Sequence, residues 1–242
     1  SRMLLIKKVD MLKSKGGSMT HAEKTKTYFT LNTIASIFSD QGRHEEAASI
    51  FRAGIEGISA LKKEHNHGHS HGGDGDDVEG ESYDLDQARI QMNLANTLCD
   101  IGTDDARTEA KQLYHSILRL RESSVGFEHE DTLNAAHNLC SLYYDDGALD
   151  DAHTLLERTL TGRRKVLGPC HPHTVETEMS LAAVLTEREE DEGAHVLYKQ
   201  ALKAMTEDNA NGHFKHVTLL NTKAQYAVLL QAIGEVDEAV SY

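Results

Sequence analysis

Two prolines, no tryptophan and an aromatic content of 5% in 242 residues leave little material for a β-rich or disordered chain. Cysteine is scarce too. Cys99, Cys140 and Cys170 stand far apart with no CxxC pair, so neither a disulfide framework nor a Cys-based zinc site is written here. Reduced thiols in an intracellular, cytoplasmic protein are the expectation. No apolar run approaches the roughly 18 residues of a membrane span, which speaks against membrane insertion. Positive charge is the other deficit: 25 Lys and Arg face 39 Asp and Glu, for a formal net charge of −14. Nucleic acid and anionic lipid offer such a chain no counter-charge, so basic or uncharged protein partners are favoured. Catalytic signatures are missing as well. There is no GxSxG, no Walker A loop and no GxGxxG, and His44-Glu45 and His129-Glu130 each lack the second His of HExxH. The chain is not expected to be an enzyme.

What the sequence does contain is one pattern written several times. With Cys140 laid over Ala182, an offset of 42 residues, Leu139 meets Leu181, Tyr143 meets Leu185, Ala152 meets Ala194 and Leu156 meets Tyr198. Each copy carries apolar residues at helical spacing in two stretches, the mark of a pair of amphipathic helices. Ala35, Ala95, Cys140, Ala182 and Ala227 take the same small position on the first helix of each pair. Ala47, Ala110, Ala152, Ala194 and Ala239 take the small position of the second helix, with Ala110 displaced by an insertion around Asp104 and Asp105. Phe51, Tyr114, Leu156 and Tyr198 follow as bulky residues for the next pair. Gly42, Gly102, Gly147 and Gly234 mark the intervening turns, where a positive φ suits glycine. Glu189 occupies that place in the fourth copy, so its turn is expected to be strained or differently shaped.

The spacing of small residue, Gly, Ala and aromatic resembles the tetratricopeptide repeat (TPR). The linkers LGPCHPHTV (residues 167–175) and VGFEHEDTL (residues 125–133) resemble LGxxHPxTL of kinesin light chain-type repeats, and MNLANTL and HNLCSLY resemble the NLAxLY core. The resemblance covers about residues 20–242. It implies an all-α, right-handed superhelical solenoid of helix-turn-helix units, and a protein–protein interaction scaffold that binds an extended peptide or a partner protein in its concave groove.

By this ruler residues 1–17 are the end of a truncated preceding repeat, 18–63 the first unit, 84–126 the second, 127–168 the third, 169–211 the fourth and 212–242 a truncated fifth. The chain therefore reads as part of a larger polypeptide or complex. Between the first two units, residues 64–83 form a surplus rich in His, Gly and Asp. Such composition cannot bury enough apolar surface to order itself, and it reads as a surface loop. In an extended backbone His65, His67, His69 and His71 would point alternately to one side, so two or three imidazoles could hold Zn²⁺ or Ni²⁺. No other cofactor is implied. The neighbouring acidic run is no EF-hand, because counting from Asp74 puts Glu79 where glycine is required.

The groove-facing residues are those two before and one after each small position on the first helices: Thr33 and Ser36, Asn93 and Asn96, Asn138 and Ser141, Ser180 and Ala183, Gln225 and Val228. Asn93 and Asn138 match the Asn of the resembled NLAxLY core, and an Asn side chain can both donate to and accept from a peptide backbone. Arg89, Asn134, His137, Asp100, Asp145 and Glu187 lie on the same helices. His171 and His173, flanking Pro172, are expected to make local hydrogen bonds at a helix start. Two rival readings accompany the groove scaffold: an assembly subunit that uses convex faces and array ends, and a metal-handling protein that acts through the His-rich loop.

Overall fold

The computed structural model describes residues 21–68, 77–207, 216–235 and 239. The end of a preceding repeat expected over residues 1–17, residues 208–215 and most of the second helix expected for the fifth repeat lie outside them. The described residues form nine α-helices and no strand. They fall into two compact units, residues 1–124 and 125–242.

In the first unit α1 (His21–Asp40) pairs with α2 (His44–Gly68), and α3 (Asp77–Ile101) pairs with α4 (Asp104–Ser124). α2 packs on α3, and α1 also touches α3, so the two hairpins stack through their facing helices. The small positions work as the pattern demands. Ala35, Ala47, Ala95 and Ala110 are all fully buried, and Phe51 and Tyr114 are each 1% exposed between them. One approach is closer than any side chain allows: a Cβ added at Gly57 would stand 2.0 Å from the Tyr28 ring, so this ring lies directly on the α2 backbone. Lys62 to Asp84 (2.6 Å) and Arg52 to Glu109 (2.7 Å) stitch α2 to α3 and α4 at the surface.

α2 and α3 run on into the stretch whose composition reads as loop. Extending an existing helix adds a hydrogen bond for every residue fixed, whereas starting a new one is costly. His65 and His67 thus lie on helical backbone at the end of α2. His69 and His71 lie outside the described residues.

The second unit contains α5 (Glu130–Asp145), α6 (Leu149–Val166), α7 (Pro172–Glu187), α8 (Asp191–Glu207) and α9 (His216–Ala232). Each helix packs on the next, and α5 also touches α7. The core runs continuously through them, from Cys140, Ala152 and Leu156 to Ala182, Ala194 and Tyr198 and on to Tyr226 and Leu230. The charges of α6 suit its dipole, with Asp150 and Asp151 in the first turn and Arg163, Arg164 and Lys165 in the last.

The linkers before α5 and α7 explain the repeated histidine. His129 and His171 have extended backbone (φ −66° and −70°) and serve as N-caps. The Nδ1 of each accepts a hydrogen bond from the backbone N–H two residues on, at 3.2 Å, so a ring nitrogen does the work of the usual Ser or Asp oxygen. Pro172 follows at the first helical turn, where its missing N–H leaves nothing unpaired. His173 sets its own Nδ1 3.3 Å from Glu176 Oε2.

Glu189 proves to be in a turn of ordinary shape and unusual strain. The Glu190 N–H bonds to the Leu185 carbonyl at 2.9 Å, as the Ala148 N–H bonds to Tyr143 in the preceding repeat. Glu189 reaches this turn with φ 62°, the left-handed value that Gly147 takes at 72°. An L-residue there carries a cost of about 1–2 kcal/mol that glycine avoids. Glu189→Gly is therefore expected to raise the free energy of unfolding by about 1 kcal/mol in urea titrations, after allowance for the extra freedom of glycine in the unfolded chain. An unchanged midpoint would show that the turn stores no strain. Ala194→Leu, at a fully buried close approach of helices, is expected to cost roughly 1–3 kcal/mol by overpacking. Glu192→Leu, on the exposed side of the same helix, should cost far less.

Candidate binding groove

The expected groove positions in the first unit are mostly engaged with their own fold. Thr33 and Ser36 return their hydroxyls to carbonyls one turn back, Phe29 at 3.1 Å and Asn32 at 3.1 Å. Asn93 donates from Nδ2 to Asn32 Oδ1 at 3.0 Å, and Ser39 and Thr97 meet at 3.1 Å. These contacts tie α1 to α3. Asn96 is exposed and accepts the Tyr114 hydroxyl at 2.5 Å. Arg89, also exposed, sets its guanidinium over the Phe29 ring at 5.8 Å. Asn32, which shares the bond with Asn93, is not singled out by the repeat because it lies one place outside the positions counted from Ala35.

In the second unit two of the expected residues turn to the interior. Asn134 accepts from Arg163 Nη2 at 2.7 Å, while Arg163 Nη1 donates to the His173 carbonyl and to Thr177 Oγ1, each at 2.7 Å. Arg163, itself only 2% exposed, thus joins α5, α6 and α7 behind the groove. His137 is buried beside it. Its Nε2 stands 3.9 Å from Glu176 Oε1, and among the described residues its Nδ1 has no hydrogen-bond partner. Asn138 is half-buried and already engaged. A buried Arg is the signal that counting along the repeat passes over, because a charged residue late in a helix reads as solvated.

The remaining groove residues come together. Ser141, Ser180, Ala183 and Gln225 line a cleft of about 780 Å³ between the first helices α5, α7 and α9. Its apolar part is supplied by Leu156, Val175, Met179, Val184 and Met205. Thr222 on α9 donates to Met179 Sδ at 3.1 Å, which fixes one of these soft side chains in place. The rim is polar, with Tyr144 and Asp145 from α5 and His173 and Glu176 from α7. Glu176, Met179 or Ser180, Ala183 and Glu187 recur at one-turn intervals along one face of α7, a spacing from which Glu176 and Met179 are legible.

Acidic and neutral groups set the chemistry of the cleft. Among the described residues that line it there is no lysine or arginine. The Tyr144 hydroxyl is pushed up in pKa by burial first and then by Glu187, to which it hydrogen bonds. Burial pushes the Cys140 thiol up to about 12, so it is no thiolate nucleophile at neutral pH. Among the described residues no group of three His, Cys, Asp or Glu is placed to hold a metal ion, and no helix is long and apolar enough to cross a membrane.

His137 gives the acid limb of stability a specific source. Burial first, then the Arg163 charge, lower its pKa to about 4, against a partial pull upward from Glu176. The unfolded chain therefore takes up this proton near the ordinary value of about 6.5, before the folded chain does. Stability is unaffected above that pH and falls as the pH drops toward about 4, by on the order of 3 kcal/mol in all. His137→Asn is expected to flatten the denaturant midpoint over this window. An unchanged slope would place the acid sensitivity elsewhere.

The tetratricopeptide repeat family matches residues 131–207. Protein KINESIN LIGHT CHAIN-RELATED 2 of Arabidopsis thaliana is 35% identical over 82 residues, which are 34% of this chain and only 12% of that protein. Among solved structures, a kinesin light chain-like protein of Podosopora anserina with nearly identical TPR-like repeats superposes with a TM-score of 0.67, at 19% identity over 92% of each chain. The apo form of RapI gives 0.63 at 13% identity, over 100% of this chain and 89% of that one. BtubC (BKLC) from P. vanneervenii gives 0.61 at 15% identity, over 93% and 88%. At such identities the likeness is one of fold alone. Residues 131–207 match the tetratricopeptide repeat, and the described residues have an all-helical fold like that of kinesin light chain-like repeat proteins.

Proposed function

We propose that this tetratricopeptide-repeat chain is a protein-interaction scaffold whose second unit takes an extended peptide segment in the cleft between α5, α7 and α9. The observation that carries this reading is the make-up of the cleft: it is walled by first helices, its floor is apolar and its rim is polar. A peptide in such a site buries one or two side chains while its backbone meets Ser141, Ser180 and Gln225. Asn93, with its amide committed to Asn32, is a positioning residue between α1 and α3. Asn138 is close to the cleft-lining Ser141 in sequence but already engaged in the fold. Cys99, Cys140 and Cys170 form no disulfide with one another, which supports a reducing, cytoplasmic setting. The acidity of the chain supports a protein partner over nucleic acid.

Peptides of about 12 residues, long enough to cross adjacent repeats, would be selected from a displayed random library on the full 242-residue chain and measured by titration. Ala183→Trp fills the cleft, and Ser141→Trp obstructs its exposed rim. Each is expected to weaken the selected peptides more than about tenfold, the usual effect of losing a buried anchor, with the circular dichroism spectrum unchanged. Val196→Trp, on the exposed face of α8, is the control. Wild-type affinity in both folded cleft variants would overturn the groove reading in favour of an assembly subunit that binds through its other faces.

A further inference from the structure

We infer that the cleft of the second unit selects a basic peptide segment, one that places a lysine or arginine at the Asp145 and Glu187 end and an aliphatic side chain on the Met179 and Met205 floor. This rests on the groove function proposed for the chain and gives the occupant its chemistry. α5 ends at Asp145 and α7 at Glu187, so two helix C-termini, each carrying partial negative charge, lie at the same end as two carboxylates. Tyr144 stands between them with its hydroxyl on Glu187. Among the described residues neither Asp145 nor Glu187 has an ion-pair partner.

The neighbouring cations are committed elsewhere. Arg188, next along from Glu187, bonds to Glu190 at 2.6 Å and to Asp150. Arg163 lies buried behind the groove with its donors on Asn134, His173 and Thr177. At the opposite end Glu176 is partly offset by the Arg163 guanidinium at 3.8 Å. The uncompensated charge of the cleft is therefore at one end, and its aliphatic and sulfur-bearing floor of Met179 and Met205 lies toward the other, beside Val175. A cationic side chain entering there meets the Asp145 carboxylate on the cleft wall, with Glu187 behind the Tyr144 hydroxyl, and displaces no existing pair, whereas an acidic segment would meet like charge and two helix C-termini. Steering by a field of this sign raises the on-rate for basic partners and fades with salt.

The probe is the same set of library-selected peptides, binding the full chain. Expected are sequences with Lys or Arg about three or four residues from Leu, Ile or Met, the reach of an extended chain over about two helical turns, with affinity falling as salt rises from about 0.05 M to about 0.5 M. Asp145→Asn combined with Glu187→Gln is expected to weaken them about tenfold. Asp145→Lys combined with Glu187→Lys is expected to redirect selection to acidic peptides, an outcome that mere damage to the fold would not produce. Selected peptides that are neutral or acidic, or that bind the Asn/Gln variant as wild type while Ser141→Trp still blocks them, overturn the charge inference and leave the groove reading standing. Peptides indifferent to Ser141→Trp and Ala183→Trp overturn both.

Discussion

A single helix hairpin of this chain cannot bury its own apolar stripe, and everything else follows from that constraint. The paired helices must approach until backbone nearly meets backbone, which is why Ala35, Ala47, Ala152, Ala182 and Ala194 are fully buried with no room for a larger side chain. The bulky residue one turn on, Phe51, Tyr114, Leu156 or Tyr198, then fills the space that the next helix closes. Stability is distributed between neighbours, not concentrated in one centre. Within each unit the first helices are thereby held side by side.

Much of this is legible in the amino-acid sequence, for a physical reason. The positions that recur at 42 residues are those where geometry tolerates the fewest residue types, so Cys140 and Ala182, or Ala152 and Ala194, announce themselves. The shape of the fourth turn is less legible, because Glu189 has a side chain that the local backbone disfavours and the surrounding hydrogen bonds impose. The site is legible in part. Ser141, Ser180, Ala183 and Gln225 are in the cleft as counting from the small positions suggests. Asn134 and His137 are not simply groove residues, because the burial of Arg163 recruits polar partners from the neighbouring helices. No periodicity rule announces which charged residue will be desolvated. Helix length near residue 64 escapes composition for a different reason, since propagation from a packed helix outlasts the propensities of the residues added.

The distribution of charge separates structural from available ionic groups. Glu178, only 2% exposed, is paired with Arg164 at 2.7 Å, and burial still raises its pKa against that pairing. That carboxylate is locked between α6 and α7. Asp145 is exposed and faces the cleft. Net charge alone describes both residues identically. The difference lies in the company each keeps, and it decides which of them a partner meets.

The arginine behind the groove bears on how the array comes apart. In a solenoid treated as a row of coupled two-state elements, the sharpness of melting depends on the coupling between neighbours and not on the stability of each element. Arg163 needs Asn134 of α5 and Thr177 and the His173 carbonyl of α7 at the same time. Any state in which one of those helices frays leaves a desolvated guanidinium short of acceptors, a severe penalty in a low-dielectric interior. Partly melted forms of α5, α6 and α7 are thereby emptied, and the three helices behave as one block with a narrow transition. The cleft wall on their far side is then either fully present or fully absent.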